Sequence, residues 1–111
     1  MSENNAHLLI VDDDERILSL LSTYLSKNKF LVSSARNSTE ARYLLSYFEF
    51  DLLILDVMMP GESGLELLEG IRTQKNVPAI FLSAKGGSRD RISGLEKGAD
   101  DYLPKPFEPK E

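Results

Sequence analysis

The chain contains no cysteine, a single histidine, and no apolar run approaching the roughly 18 residues that a membrane-spanning helix needs. Without cysteine there is neither a disulfide framework nor a thiolate metal site, so a reducing compartment suits the protein and a cytoplasmic location is expected. The lone His7 cannot build a histidine-rich zinc site; lying near the first apolar run, it reads as an exposed or half-buried strand residue rather than a ligand. A basic excess is missing too. With 13 Lys and Arg against 18 Asp and Glu, the formal charge is -5. Holding a nucleic-acid backbone needs clustered cations that replace counterions, so direct nucleic-acid binding by this chain is not expected. The opening Met1-Ser2-Glu3-Asn4-Asn5 lacks the basic start and apolar stretch of a signal peptide, and neither export by that route nor a membrane role is expected.

What is present fits one folded unit. At 111 residues, with 41% hydrophobic and 28% charged residues, the chain can bury a single core, and one domain over 1–111 with its core in 7–107 is expected. Three short apolar runs, 8–11, 52–55 and 79–82, do not alternate with polar residues. Runs of that length rich in Ile, Leu and Val fit strands buried on both faces, as in the centre of a parallel sheet. Between them the period changes to that of a helix. Ile17, Leu20, Leu21, Tyr24 and Leu25 mark one face, and Ala41, Leu44, Leu45 and Phe48 mark a second. Leu65, Leu68 and Ile71 follow the capping-box pattern Ser63-Gly64-Leu65-Glu66. Ile92, Leu95 and Ala99 mark a shorter helix. The half-polar stretch 30–34 reads as a strand nearer the sheet edge, and 101–103 as a fifth strand. Strands alternating with helices imply right-handed crossovers and a mostly parallel sheet covered on both faces. Phe107-Glu108-Pro109 resembles the opening of a helix that does not follow, so a truncated final helix, and with it an uncovered apolar strip, is expected; a disordered tail is the alternative.

Each of the three apolar runs ends abruptly in polar residues: Val11 into Asp12-Asp13-Asp14, Leu55 into Asp56, and Leu82 into Ser83. In an open parallel sheet, ligand sites form outside the carboxyl ends of the strands. Taken alone, Asp14 is well placed as a helix N-cap and Ser83 could simply begin a turn. Asp12, Asp13 and Asp56 together are harder to explain structurally, because converging carboxylates repel one another and call for a counter-charge. Mg2+ suits such a set, since it takes oxygen ligands, one or two carboxylates and phosphate oxygens, and keeps several waters. Lys105 sits between Pro104 and Pro106, which restrict the backbone; a surface lysine is one reading, an ammonium at the same sheet edge the other.

Leu-Leu-Ile-Val-Asp-Asp-Asp at 8–14, Leu-Asp-Val-Met-Met-Pro-Gly-x-x-Gly at 55–64, Leu-Ser-Ala at 82–84 and Lys-Pro-Phe at 105–107 resemble the receiver domains of two-component response regulators, in order and over nearly the whole chain. The resemblance implies a flavodoxin-like (CheY-like) α/β fold whose five-stranded parallel sheet has the order 2-1-3-4-5. It implies that Asp56 is the phosphoacceptor, that Asp12, Asp13, Asp56 and the Met58 backbone carbonyl hold Mg2+, and that Ser83 and Lys105 contact the phosphoryl group. Ser83 and Tyr102 would form the switch, and the Lys105-Pro106 peptide bond would be cis. The partner implied is a sensor histidine kinase. The chemistry it implies is a self-catalysed aspartyl phosphorylation with slow dephosphorylation, so signalling rather than turnover of a substrate is expected. The stretch 90–102 is similar to OmpR/PhoB-type regulators, which pair through the face formed by the helix read at 92–99 and the strand after it. That likeness nominates Arg91, Glu96, Asp100 and Asp101 as dimer contacts, with a solvated charged face as the alternative, and implies a DNA-binding output domain that this chain does not encode.

Other readings compete. Asp12-x-Asp14 after an apolar strand also resembles haloacid-dehalogenase-type phosphatases, which would make the chain an enzyme; but Glu15-Arg16 follow where small residues are usual, and Met58 stands where Asp56 would need a second acid. A flavin mononucleotide binder of the same sheet order would need a hydroxyl- and glycine-rich loop where three aspartates stand. A purely structural partner-binding module would leave the carboxylates unexplained.

Overall fold

The computed structural model describes residues 5–83 and 101–104, with side chains from 5 to 82. The helix read at 92–99, together with Arg91, Glu96, Asp100 and Lys105, lies outside the described residues. In chain order the elements are β1 (His7–Val11), α1 (Glu15–Lys27), β2 (Leu31–Ala35), α2 (Ser38–Tyr47), β3 (Leu52–Asp56), α3 (Gly64–Ile71), β4 (Ala79–Ser83) and β5 (Asp101–Pro104). All strand pairs are parallel, and the sheet order is β2-β1-β3-β4-β5, as the family resemblance implied.

The continuous apolar runs become the central strands because both of their faces are covered. Leu9, Val11, Leu53, Leu55, Ala79 and Phe81 point into the larger core, which α2 and α3 close with Ala41, Leu45, Leu67, Leu68 and Ile71. The alternate residues Ile10, Ile54 and Leu82 point the other way and meet Leu18 and Leu21 of α1. Two-residue periodicity thus sends successive side chains into different clusters. The half-polar β2 is the edge strand, with Leu31 and Ser34 exposed.

Local signals set the helix ends. Asp14 caps α1 by accepting from the Arg16 backbone N–H at 2.9 Å. The N–H of Lys29 bonds to the Ser26 carbonyl and that of Phe30 to the Leu25 carbonyl, a Schellman closure that places Lys29 at φ 74°. Asn37 caps α2, and the capping box of α3 is complete: Glu66 N–H donates to Ser63 Oγ, and Ser63 N–H to Glu66 Oε1.

Two periodicity assignments need correction. Leu20 is exposed, and the buried stripe of α1 is Leu18 and Leu21 supported by Ile17 and Leu25; the true stripe lies one residue to the side of the expected one. Phe48 is not on the α2 face. It is the C-cap in an extended conformation, half exposed, because the helix must end there for Phe50 to enter the core and for Asp51 to exchange hydrogen bonds with His7. His7 is half-buried in β1, with its ring against Phe50 and Nε2 2.8 Å from Ser33 Oγ.

Candidate functional site

Register brings the acidic residues together. The β1–β3 ladder ends at Val11 opposite Leu55, so Asp12 and Asp56 each follow the last paired residue of two adjacent strands. At the next step across the sheet, Asp56 pairs with Leu82, which places the backbone of Ser83 at the same carboxyl edge. The chain beyond Asp12 is tied down by its N–H bond to the Ala35 carbonyl, and Val57 N–H bonds the Leu82 carbonyl. Both strand ends are therefore anchored on their outer neighbours while their side chains face one another.

One oxygen from each of Asp12, Asp13 and Asp56 falls within 4.8 Å of the others. Asp12 is fully buried and Asp56 is 3% exposed, whereas Asp13 is exposed. Asp12 Oδ1 accepts from the Asp14 N–H at 3.0 Å, and Asp56 Oδ1 faces the Met58 N–H at 3.4 Å. Three hard oxygen donors, two of them withdrawn from solvent and one open to it, match a small divalent cation that retains water on its exposed side. No His or Cys joins the group among the described residues, so the donor set does not fit zinc.

Asp14 stands apart from this set. Its carboxylate accepts from the Arg16 backbone and guanidinium, and the Arg16 side-chain bond, with the backbone bond second, holds it below the usual carboxylate range. The carboxylate is thus engaged as the α1 cap and in the pair with Arg16, and nothing in the site supports the phosphatase reading that used Asp12 and Asp14.

Glycine makes room at the site. A Cβ on Gly64 would sit 2.0 Å from the Asp56 backbone oxygen, so α3 docks directly on the backbone of the acidic strand end, with Gly64 N–H bonded to the Val57 carbonyl at 3.1 Å. Sequence reading used Gly64 only as part of a motif and missed this contact; its place between a capping serine and an apolar helix face was the available signal. The sequence reading also missed the tie between α2 and the β3–α3 loop: Arg42 donates to both carboxylate oxygens of Glu62, at 3.1 and 2.6 Å, and Ser38 Oγ donates to the Glu62 carbonyl at 3.1 Å. Tyr102 lies in β5 opposite Phe81, and Asp101 opposite Ile80.

A doubly wound parallel sheet that gathers three carboxylates at the carboxyl ends of neighbouring strands defines a class of α/β proteins that bind ligands at that edge. Comparison with known proteins makes the assignment specific. The model of the response regulator receiver domain matches residues 8–111, and the chain belongs to that family. It is 60% identical over 111 residues to protein PetR of Rhodobacter capsulatus, covering 100% of this chain and 47% of the relative. It is 43% identical over 108 residues to the transcriptional regulatory protein ResD of Bacillus subtilis, covering 97% of this chain and 45% of that protein. The solved receiver domain of the Francisella response regulator 1452 superposes with a TM-score of 0.87 at 38% identity, over 93% of this chain and 86% of that one. The chain spans about half the length of the curated relatives it matches. Relatives that are transcriptional regulators agree with the OmpR/PhoB-type likeness of the sequence. Among the described residues, no helix is long and apolar enough to cross a membrane.

Proposed function

We propose that this receiver takes a phosphoryl group onto Asp56 from a sensor histidine kinase, with Mg2+ held by Asp12, Asp13, Asp56 and the Met58 backbone carbonyl. The observation that carries the reading is the convergence of the three carboxylates, two of them buried, at the ends of adjacent strands. Bound Mg2+ would supply positive charge against the phosphoryl oxygens. An Asp56 carboxylate oxygen attacks phosphorus in line, the bond from phosphorus to its donor nitrogen or oxygen breaks, and the donor leaves with the electron pair, giving an acyl phosphate. Asp12 and Asp13 would hold and orient the cation, and Lys105 would pair with a phosphoryl oxygen. Ser83 donates its hydroxyl to the new group, and Tyr102 follows it inward.

In the complete regulator, this event would favour pairing of two receivers through the face that includes Arg91, Glu96, Asp100 and Asp101, and so control a DNA-binding output domain in the cytoplasm. The domain's own chemistry would be limited to its phosphorylation and slow dephosphorylation. Incubation with acetyl phosphate and Mg2+, followed by intact-mass measurement, tests the reading. One phosphoryl adduct is expected, absent in Asp56→Ala and after metal chelation. Equal labelling of Asp56→Ala would remove the assignment, and steady phosphate release from many equivalents of a monoester would turn the reading toward a phosphatase.

A further inference from the structure

The β3–α3 loop carries the residues that follow Asp56, and its base is closed by the Gly64 N–H bond to the Val57 carbonyl. Its outer part is held from α2 by two residues one helical turn apart, which therefore share a face. Ser38, buried at the first turn, donates to the Glu62 main chain, and Arg42 grips the Glu62 side chain with two parallel bonds. Room for the guanidinium comes from α3, where a Cβ on Gly70 would approach Arg42 Nη2 to 3.0 Å. Two α2 side chains thus hold one glutamate that lies six residues beyond Asp56, and α3 leaves space for the arginine that does so.

We propose that Arg42 is a positioning residue for the acidic site: by fixing Glu62 it sets the loop, and so the Met58 backbone beside Asp56. The inference rests on the reading of Asp12, Asp13 and Asp56 as a Mg2+ site. The ion pair is about half exposed on the arginine side and a third on the glutamate side, a setting in which such pairs add little to global stability. Its two-pronged geometry is what matters, because a fork of fixed shape restricts direction as well as distance. Stability and loop order should therefore separate on mutation.

The test uses Arg42→Ala, Arg42→Lys, and the swapped pair Arg42→Glu with Glu62→Arg, each compared with wild type. Two measurements are made: amide hydrogen exchange at Met58 and Gly64 in metal-free protein, and Mg2+ affinity by calorimetry. Arg42→Ala should exchange these amides about tenfold faster and bind Mg2+ roughly three- to tenfold more weakly, with the melting temperature nearly unchanged, as expected for a local opening rather than a global one. Arg42→Lys keeps the charge but loses the fork and should resemble Arg42→Ala; the swapped pair should recover part of both losses. Wild-type exchange and wild-type affinity in Arg42→Ala would overturn the proposal, as would losses that only track a lower melting temperature. If wild type itself binds no Mg2+, the metal reading fails, and the latch is judged on metal-free exchange alone: unchanged exchange in Arg42→Ala sinks it, and faster exchange supports it.

Discussion

Replacing Gly64 with alanine adds one methyl group at the most constrained point of the site. That carbon would be built 2.0 Å from the Asp56 carbonyl oxygen, 2.8 Å from its carbonyl carbon and 3.3 Å from the Val57 Cα, all of them backbone atoms with no side-chain freedom to yield. Restoring a contact of even 3 Å means opening α3 from the strand end by at least about 1 Å, in an interior packed as densely as an organic crystal. Overpacking of this kind costs about 1–3 kcal/mol, and a backbone clash belongs at the upper end. Alanine returns up to about 1 kcal/mol over glycine within a helix, leaving a net loss near 2 kcal/mol. For a domain of 111 residues that lowers the melting temperature by roughly 9 °C. Gly61→Ala is the control: Gly61 has φ 77° but nothing within 4 Å of an added Cβ, so it carries only backbone strain of about 1 kcal/mol. Thermal melts followed by circular dichroism, with Mg2+ affinity measured alongside, decide the matter. A Gly64→Ala protein melting within about 2 °C of wild type, or no worse than Gly61→Ala, would refute the argument that α3 rests on the backbone of Asp56.

Two further predictions concern the scaffold around the site. Lys29 occupies the left-handed position that closes α1, so Lys29→Gly should stabilise the domain by up to about 1 kcal/mol in urea unfolding; a loss of stability would show that its side chain matters more than its backbone angle. Glu40 is held below its ordinary carboxylate pKa, first by the Arg36 backbone N–H and then by the Arg36 side chain. Its contribution is complete above the unfolded pKa and fades as pH falls through the lowered folded one, so Glu40→Gln should flatten the acid side of the stability profile, and parallel profiles would contradict this.

The sheet was legible because its central strands are buried on both faces and therefore appear as unbroken apolar runs. Asp12, Asp13 and Asp56 were legible because polarity returns abruptly where those runs reach the sheet edge, and Asp14 because capping is a local interaction. Leu20 and Phe48 misled for a common reason: periodicity identifies a stripe but not its rotation or its end, which depend on the neighbours the helix meets. Leu67, fully buried in the larger core, was passed over beside Leu65 and Leu68 on the same grounds. Arg42, Ser38 and Glu62 gave no sequence signal, since a charge pair 20 residues apart looks like any other surface charge until α2 and α3 are packed together.

Parallel neighbours such as β1 and β3 cannot be joined by a hairpin and need a long crossover between them. The buried acidic pair therefore has no counterpart in any local piece of chain: it comes into being only when segments 44 residues apart have docked side by side. Cation affinity in this protein should consequently serve as a reporter of completed folding. During refolding it should appear with the slow, non-local step rather than with early helix formation.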